Sequence, residues 1–165
     1  MKKILLAVDF SKGTGPLVQQ AAELGRELGA MIRVVHVTSE TLQAAYASSP
    51  FVDFSSEYVA APGGDVQTAR EICAQEYRRE HESLLHLSAR LRKEGLDAQA
   101  MLLKGNAAEL ILEKAGELDA DIIMMGSHGH GILHKMLLGS VAEAVLCKAS
   151  CNVLIVPSKQ SVPLL

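Results

Sequence analysis

Along the chain, nearly unbroken apolar runs of strand length alternate with longer stretches in which apolar residues recur every three or four positions. Ile4–Val8, Ile32–Val37, Ala98–Leu103, Asp121–Met125 and Asn152–Val156 read as strands, rich in β-branched and aliphatic residues. The intervening helices present Leu17, Ala21, Leu24 and Leu28, then Cys73, Tyr77, Leu84, Leu87 and Leu91, then Leu110, Ile111 and Leu118. The last starts at Ser140 and presents Val141, Ala142, Val145 and Leu146. Gly29 and Gly95 stand where the first two helices should stop. Strands apolar on both faces and separated by helices predict an α/β protein, a single doubly wound five-stranded parallel sheet with helices on both faces. Right-handed crossovers give the Rossmann-like order 3-2-1-4-5, with its switch point between the first and fourth strands.

One domain over residues 1–158 accounts for this pattern, followed by a tail at 159–165; the length suffices for one core and no composition break divides it. An insert at 38–64 interrupts the rhythm. It is rich in Ser and Ala, carries Pro50 and Pro62, and gathers Tyr46, Phe51, Phe54 and Tyr58. Because it leaves the second strand on the ligand side, it either folds over the crevice or forms a surface excursion packed on its own aromatics.

A formal net charge of −3 gives no general attraction to nucleic acid or to an anionic membrane, so any anion must be held by a local feature. No apolar run approaches a membrane span, and the run after Lys2-Lys3 is stopped by Asp9, too early for a signal peptide. Cys73, Cys147 and Cys151 make an odd count without paired zinc-type spacing, which fits reduced thiols in a cytoplasmic setting. Cys147 and Cys151 fall close together at the end of the last helix, yet free cysteine is usually a small buried hydrophobe.

The chemistry concentrates between the fourth strand and the last helix, from Met125 to Val141. The loop has the form G-x2-G-x9-G-S through Gly126, Gly129, Gly139 and Ser140, contains Ser127, His128 and Lys135, and has no Asp or Glu. Glycines between a strand's carboxyl end and a helix's amino end let backbone N–H groups converge on an anion, helped by the helix dipole. The pattern is neither a dinucleotide fingerprint nor a P-loop, and glycines that merely permit turns are the competing reading. Across the switch point Asp9 ends the first strand, where a carboxylate can accept from a ribose or adenine, help hold hydrated Mg²⁺, or simply shape a turn. Ser140 with Glu143 fits a capping box, with Glu143 facing backward from the loop. His128, His130 and His134, with His36, invite a metal reading, but their spacing matches no zinc pattern and a donor to phosphate or plain exposure is simpler. His81 and His86 belong to a charged helix face. No nucleophile–base order stands out, so no catalytic residue is assigned.

Taken together, these residues resemble the universal stress protein family over essentially the whole chain. The resemblance rests on Ala7-Val8-Asp9-Phe10-Ser11, Val35-His36-Val37 and Gly105-Asn106-Ala107, and continues through Met124-Met125-Gly126-Ser127-His128-Gly129, Leu138-Gly139-Ser140-Val141-Ala142 and Asn152–Pro157. The complete glycine pattern is similar to the family's ATP-binding branch and to adenine nucleotide alpha hydrolase-like folds. It implies that Asp9 and Val37 contact adenosine, that Met125, Gly126, Ser127, His128 and Gly129 line the ribose and phosphate path, and that Gly139, Ser140 and Val141 hold the phosphates. ATP, or AMP, with Mg²⁺ is the implied ligand. Lys12-Gly13, where the family often carries an acidic residue, and the long insert are departures that bear on access to the site. The family generally dimerises, and Val153–Val156 forms an uncharged sheet edge that favours pairing with a second copy. The expected function is a cytoplasmic, dimeric, ATP-binding stress-response protein; the rivals are an interaction module without nucleotide and a slow ATPase.

Overall fold

In a computed structural model, residues 1–38, 66–127 and 138–157 are described. The elements run β1 (Lys3–Ala7), α1 (Thr14–Leu28), β2 (Met31–Thr38), α2 (Val66–Lys93), β3 (Ala98–Lys104), α3 (Ala107–Glu117), β4 (Ile122–Gly126), α4 (Ser140–Lys148) and β5 (Asn152–Val156). The five strands form one parallel sheet in the order β3-β2-β1-β4-β5, as the sequence pattern requires.

Alternation along the strands divides the core between two faces. Ile4, Leu6, Ile32 and Val34 pack on one face with Leu17, Val18 and Ala21 of α1 and Leu84 and Leu91 of α2. Leu5, Ala7, Val35, Ile123 and Met125 pack on the other with Ile111 and Ala115 of α3 and Ala142 and Val145 of α4. Gly29 ends α1 in the left-handed region (φ 56°), and Gly95 follows α2 at φ 83°, each in a conformation that suits a residue without Cβ. Gly25 serves a different need: a Cβ there would lie 2.9 Å from Ile32 Cδ1, so its absence lets α1 sit close on β2.

Several expected positions differ. Leu28 is exposed because the buried face of α1 includes Val18, Ala22 and Gly25 and ends before the last turn. Tyr77 is exposed, two turns ahead of Leu84, a side chain of α2 that is fully buried. Leu146 is exposed because α4 buries only Ala142 and Val145. Asp121 precedes β4 instead of opening it. Its Oδ1 accepts from Lys2 Nζ (2.6 Å) and its Oδ2 from the Lys3 amide (2.9 Å), which fastens the start of β4 to that of β1. The Lys2 hydrogen bond, and then the Lys3 amide, hold the Asp121 carboxyl below the usual value of 3.8.

Candidate functional site: the crevice at the switch point

β1 has β2 on one side and β4 on the other, so the chain leaves its two neighbours in opposite directions and a crevice opens at their carboxyl ends. A cavity of ≈ 570 Å³ occupies this place, a size suited to a small organic ligand. Ala7, Val35, Val37 and Met125 give it apolar walls, and Ala107 and Ile111 of α3 close one side. Asp9, Gly126, Ser127, Gly139, Ser140 and Val141 also border it, so eight of the ten expected site residues (these six with Val37 and Met125) meet in one cavity. His128 and Gly129 lie outside the described residues, as do His130, His134, Lys135, the connection at 39–65 and the tail at 159–165.

Asp9 is held by its own turn. Its Oδ1 accepts from the Ser11 amide (3.0 Å) and from Thr14 Oγ1 (3.3 Å), while Phe10 takes the left-handed region at φ 57°. The turn-forming reading of Asp9 is therefore present. It is compatible with a ligand role, because these hydrogen bonds use one carboxylate oxygen.

Not every amide near the loop is available to an anion. The Ser127 amide donates to Val156 O (3.0 Å) and the Gly139 amide to Ser127 O (2.8 Å), so both serve to tie the loop ends to the sheet. The available donors are one step further on. Gly139, extended at φ −62° and ψ 147°, is the N-cap of α4, and its carbonyl accepts from Glu143 N (2.9 Å). The amides of Ser140, Val141 and Ala142 form the first turn, which has no intrahelical acceptor for them. This corrects the expected capping box: Ser140 is the first helical residue, Gly139 is the N-cap, among the described residues no side chain caps α4, and exposed Ser140 borders the cavity. Glu143 also departs from expectation, since it borders the cavity instead of facing away.

β2 contributes His36, buried on the opposite sheet face from Val35 and Val37. Its Nδ1 donates to Val8 O (2.7 Å), its ring meets Phe10 with centroids 4.7 Å apart, and its Nε2 lies 3.5 Å from Glu80 Oε1 on α2. Among the described residues no three His, Cys, Asp or Glu side chains converge on one point; His128, His130 and His134, which entered the metal reading with His36, lie outside them. His81 and His86 are exposed, as their helix face implied. Cys147 and Cys151 are both free, Cys147 exposed and Cys151 half-buried, and burial pushes the Cys151 thiol up.

Beyond the expected site residues, Ala107, Ile111 and Glu143 line the cavity, together with Ala7, Val8, Val35, His36, Leu138 and Ala142. Gly105-Asn106-Ala107 carried a signal for the first two. Gly105 turns the chain at φ 141° and Asn106 caps α3 by accepting from the Glu109 amide (3.2 Å), placing the start of that helix beside the crevice.

A crevice at the switch point of a 3-2-1-4-5 parallel sheet is where doubly wound α/β proteins commonly seat a ligand. The universal stress protein family model matches residues 1–157. Universal stress protein A homolog 2 of Coxiella burnetii is 35% identical over 162 residues, covering 97% of each chain. Universal stress protein UspA from Lactobacillus plantarum shares the fold with a TM-score of 0.72 at 18% identity, over 94% of this chain and 97% of that one. A universal stress protein from Archaeoglobus fulgidus, solved in complex with dAMP, aligns with a TM-score of 0.57 at 25% identity, over 94% and 97% of the two chains. The chain belongs to the universal stress protein family.

Proposed function

We propose that this chain binds ATP in the switch-point crevice and acts in the stress response as a nucleotide-sensitive homodimer rather than as a dedicated enzyme. The observation that carries this reading is the join between an apolar cavity and the open first turn of α4. Val37 and Met125 suit an adenine ring, Asp9 suits its amine or the ribose hydroxyls, and Gly126 and Ser127 border the path between. The amides of Ser140 and Val141 and the Ser140 hydroxyl suit the phosphates, with Gly139 leaving room for their approach. Mg²⁺ would rest mainly on phosphate oxygens and water, the usual habit of this ion. The dAMP complex of the Archaeoglobus fulgidus relative supports an adenine nucleotide, and AMP shares the same adenosine contacts.

The edge position of β5 supports the dimer. Leu154 is 40% exposed on that strand, and two copies pairing edge to edge would cover both. No helix among the described residues is long and apolar enough to cross a membrane, and the free thiols are compatible with a cytoplasmic setting.

Titration calorimetry with ATP tests the site. Saturable binding is expected, lost in Gly126→Val and Gly139→Val; absence of binding in the parent protein would favour a dimeric interaction module instead. Phosphate release that disappears in the same variants would identify slow hydrolysis. For the interface, Leu154→Lys should sediment as a monomer, and an unchanged dimer would place the contact elsewhere.

A further inference from the structure

Buried His36 and half-buried Glu80 form a polar contact that the crevice reading leaves unused. The His36 side chain is 9% exposed, its Nε2 stands 3.5 Å from Glu80 Oε1, and His36 Nε2 and Glu80 Oε2 are both buried without a hydrogen-bond partner among the described residues. The other ring nitrogen fixes the chemistry. Val8 O can only accept, so Nδ1 carries a proton, and in the neutral ring Nε2 is then a bare acceptor facing a carboxylate. A buried nitrogen acceptor held against a carboxylate oxygen, with no donor between them, is unfavourable. One proton on Nε2 turns the same contact into a charge-assisted hydrogen bond between imidazolium and carboxylate.

The position of the contact gives it a consequence. Val8 precedes Asp9, and His36 precedes Val37, so one ring touches the backbone that carries the adenosine side of the crevice. Glu80 lies on α2, the helix that covers β2 and β3. We propose that His36 is a proton-operated positioning residue: proton uptake joins α2 to the Val8–Asp9 turn through Glu80, and thereby favours ATP binding. The nucleotide half of this inference rests on the function proposed above; the joining of α2 does not.

Among the described residues the surrounding charges leave Glu80 as the partner. On β3 the residue opposite His36 is Leu102, with Lys104 at the strand's end opposite Thr38. The turn after β1 brings Asp9, engaged with Ser11 and Thr14. The first turn of α1 has no acidic residue, and on α2 both Glu76 and Arg79 are exposed. Glu143 borders the crevice from α4.

Hydrogen exchange and calorimetry on the full chain test the proposal, using Glu80→Gln to remove the charge and His36→Asn to keep an amide donor for Val8 O without a titratable Nε2. In ligand-free parent protein, protection factors in α2 around Glu80, referenced to α1, should be about fivefold higher near pH 6 than near pH 8, and equal at both in the two variants. ATP affinity of the parent should fall about fivefold over the same interval beyond any change seen in Glu80→Gln, which shares the titration of ATP itself. Superposable pH profiles for parent and Glu80→Gln in both assays would overturn the proposal, and this holds even if His36→Asn fails to fold. A pH-dependent α2 in a protein that binds no ATP would support the joint and overturn both its coupling to nucleotide and the ATP reading itself. Normal ATP binding with a pH-indifferent α2 would overturn the joint alone.

Discussion

Replacing Ser140 by Asp separates the phosphate seat from the stability of the helix that builds it. Ser140 opens α4, is exposed at the cavity, and among the described residues no side chain caps the helix. For folding, two effects nearly cancel. A carboxylate in the first turn gains about 0.5 kcal/mol from the helix dipole, and repulsion from Glu143 three residues on returns about 0.3 kcal/mol. A net change this small moves Tm by less than about 2 °C in a chain of this size. For a phosphate on the same amides the balance is different. A unit charge about 4 Å away costs about 4 kcal/mol at an effective dielectric constant near 20. Allowing half of that for salt and side-chain rotation leaves about 2 kcal/mol, or about a 30-fold loss of affinity. Calorimetry with ATP and with adenosine is the assay. ATP should weaken by at least about 30-fold while adenosine stays within about twofold, because only ATP carries the repelled charge. A folded Ser140→Asp protein that binds ATP within about threefold of the parent would refute the seat at α4.

Three further outcomes follow from the fold. Gly25→Val should lower stability by about 2 kcal/mol in urea unfolding, since the new side chain must displace Ile32 and Leu96 from under α1. Because the folded Asp121 carboxyl is held below its ordinary value, its contribution is complete above about pH 4 and is lost as pH falls through the folded value; Asp121→Asn should show a shallower loss of stability in that acid range and no added slope near neutrality. With iodoacetamide near pH 8, mass-mapped labelling should reach exposed Cys147 before half-buried Cys151, whose thiol is pushed up by burial.

The sheet was legible because every strand is short, apolar and separated from the next by a helix. Parallel pairing and right-handed crossovers then leave little freedom of order. Asp9 and Gly126 could be placed at one crevice on that ground, although they lie far apart in sequence. Local hydrogen bonding was not legible. Ser140-x-x-Glu143 satisfies a capping pattern, yet Gly139 in extended conformation already supplies the N-cap, and the pattern contains no information on which residue bends first. The same holds for the Ser127 and Gly139 amides, whose acceptors, Val156 O and Ser127 O, are set by how the loop ends meet β5. Leu28 and Leu146 fit the helical period and still face solvent, because period alone does not say where a helix leaves the core.

The central position of β1 has a consequence during synthesis. Its partner β2 follows after one helix, but β4, which pairs with its other edge from Ile4↔Ile122 onward, leaves the ribosome only when most of the chain has been made. Until then a growing polypeptide that has paired β3, β2 and β1 leaves apolar β1 bare along one side, a template for wrong pairing. Chaperone capture of nascent chains should therefore cease once the segment around residue 126 has emerged, and the pocket for small molecules comes into being only after that, with α4.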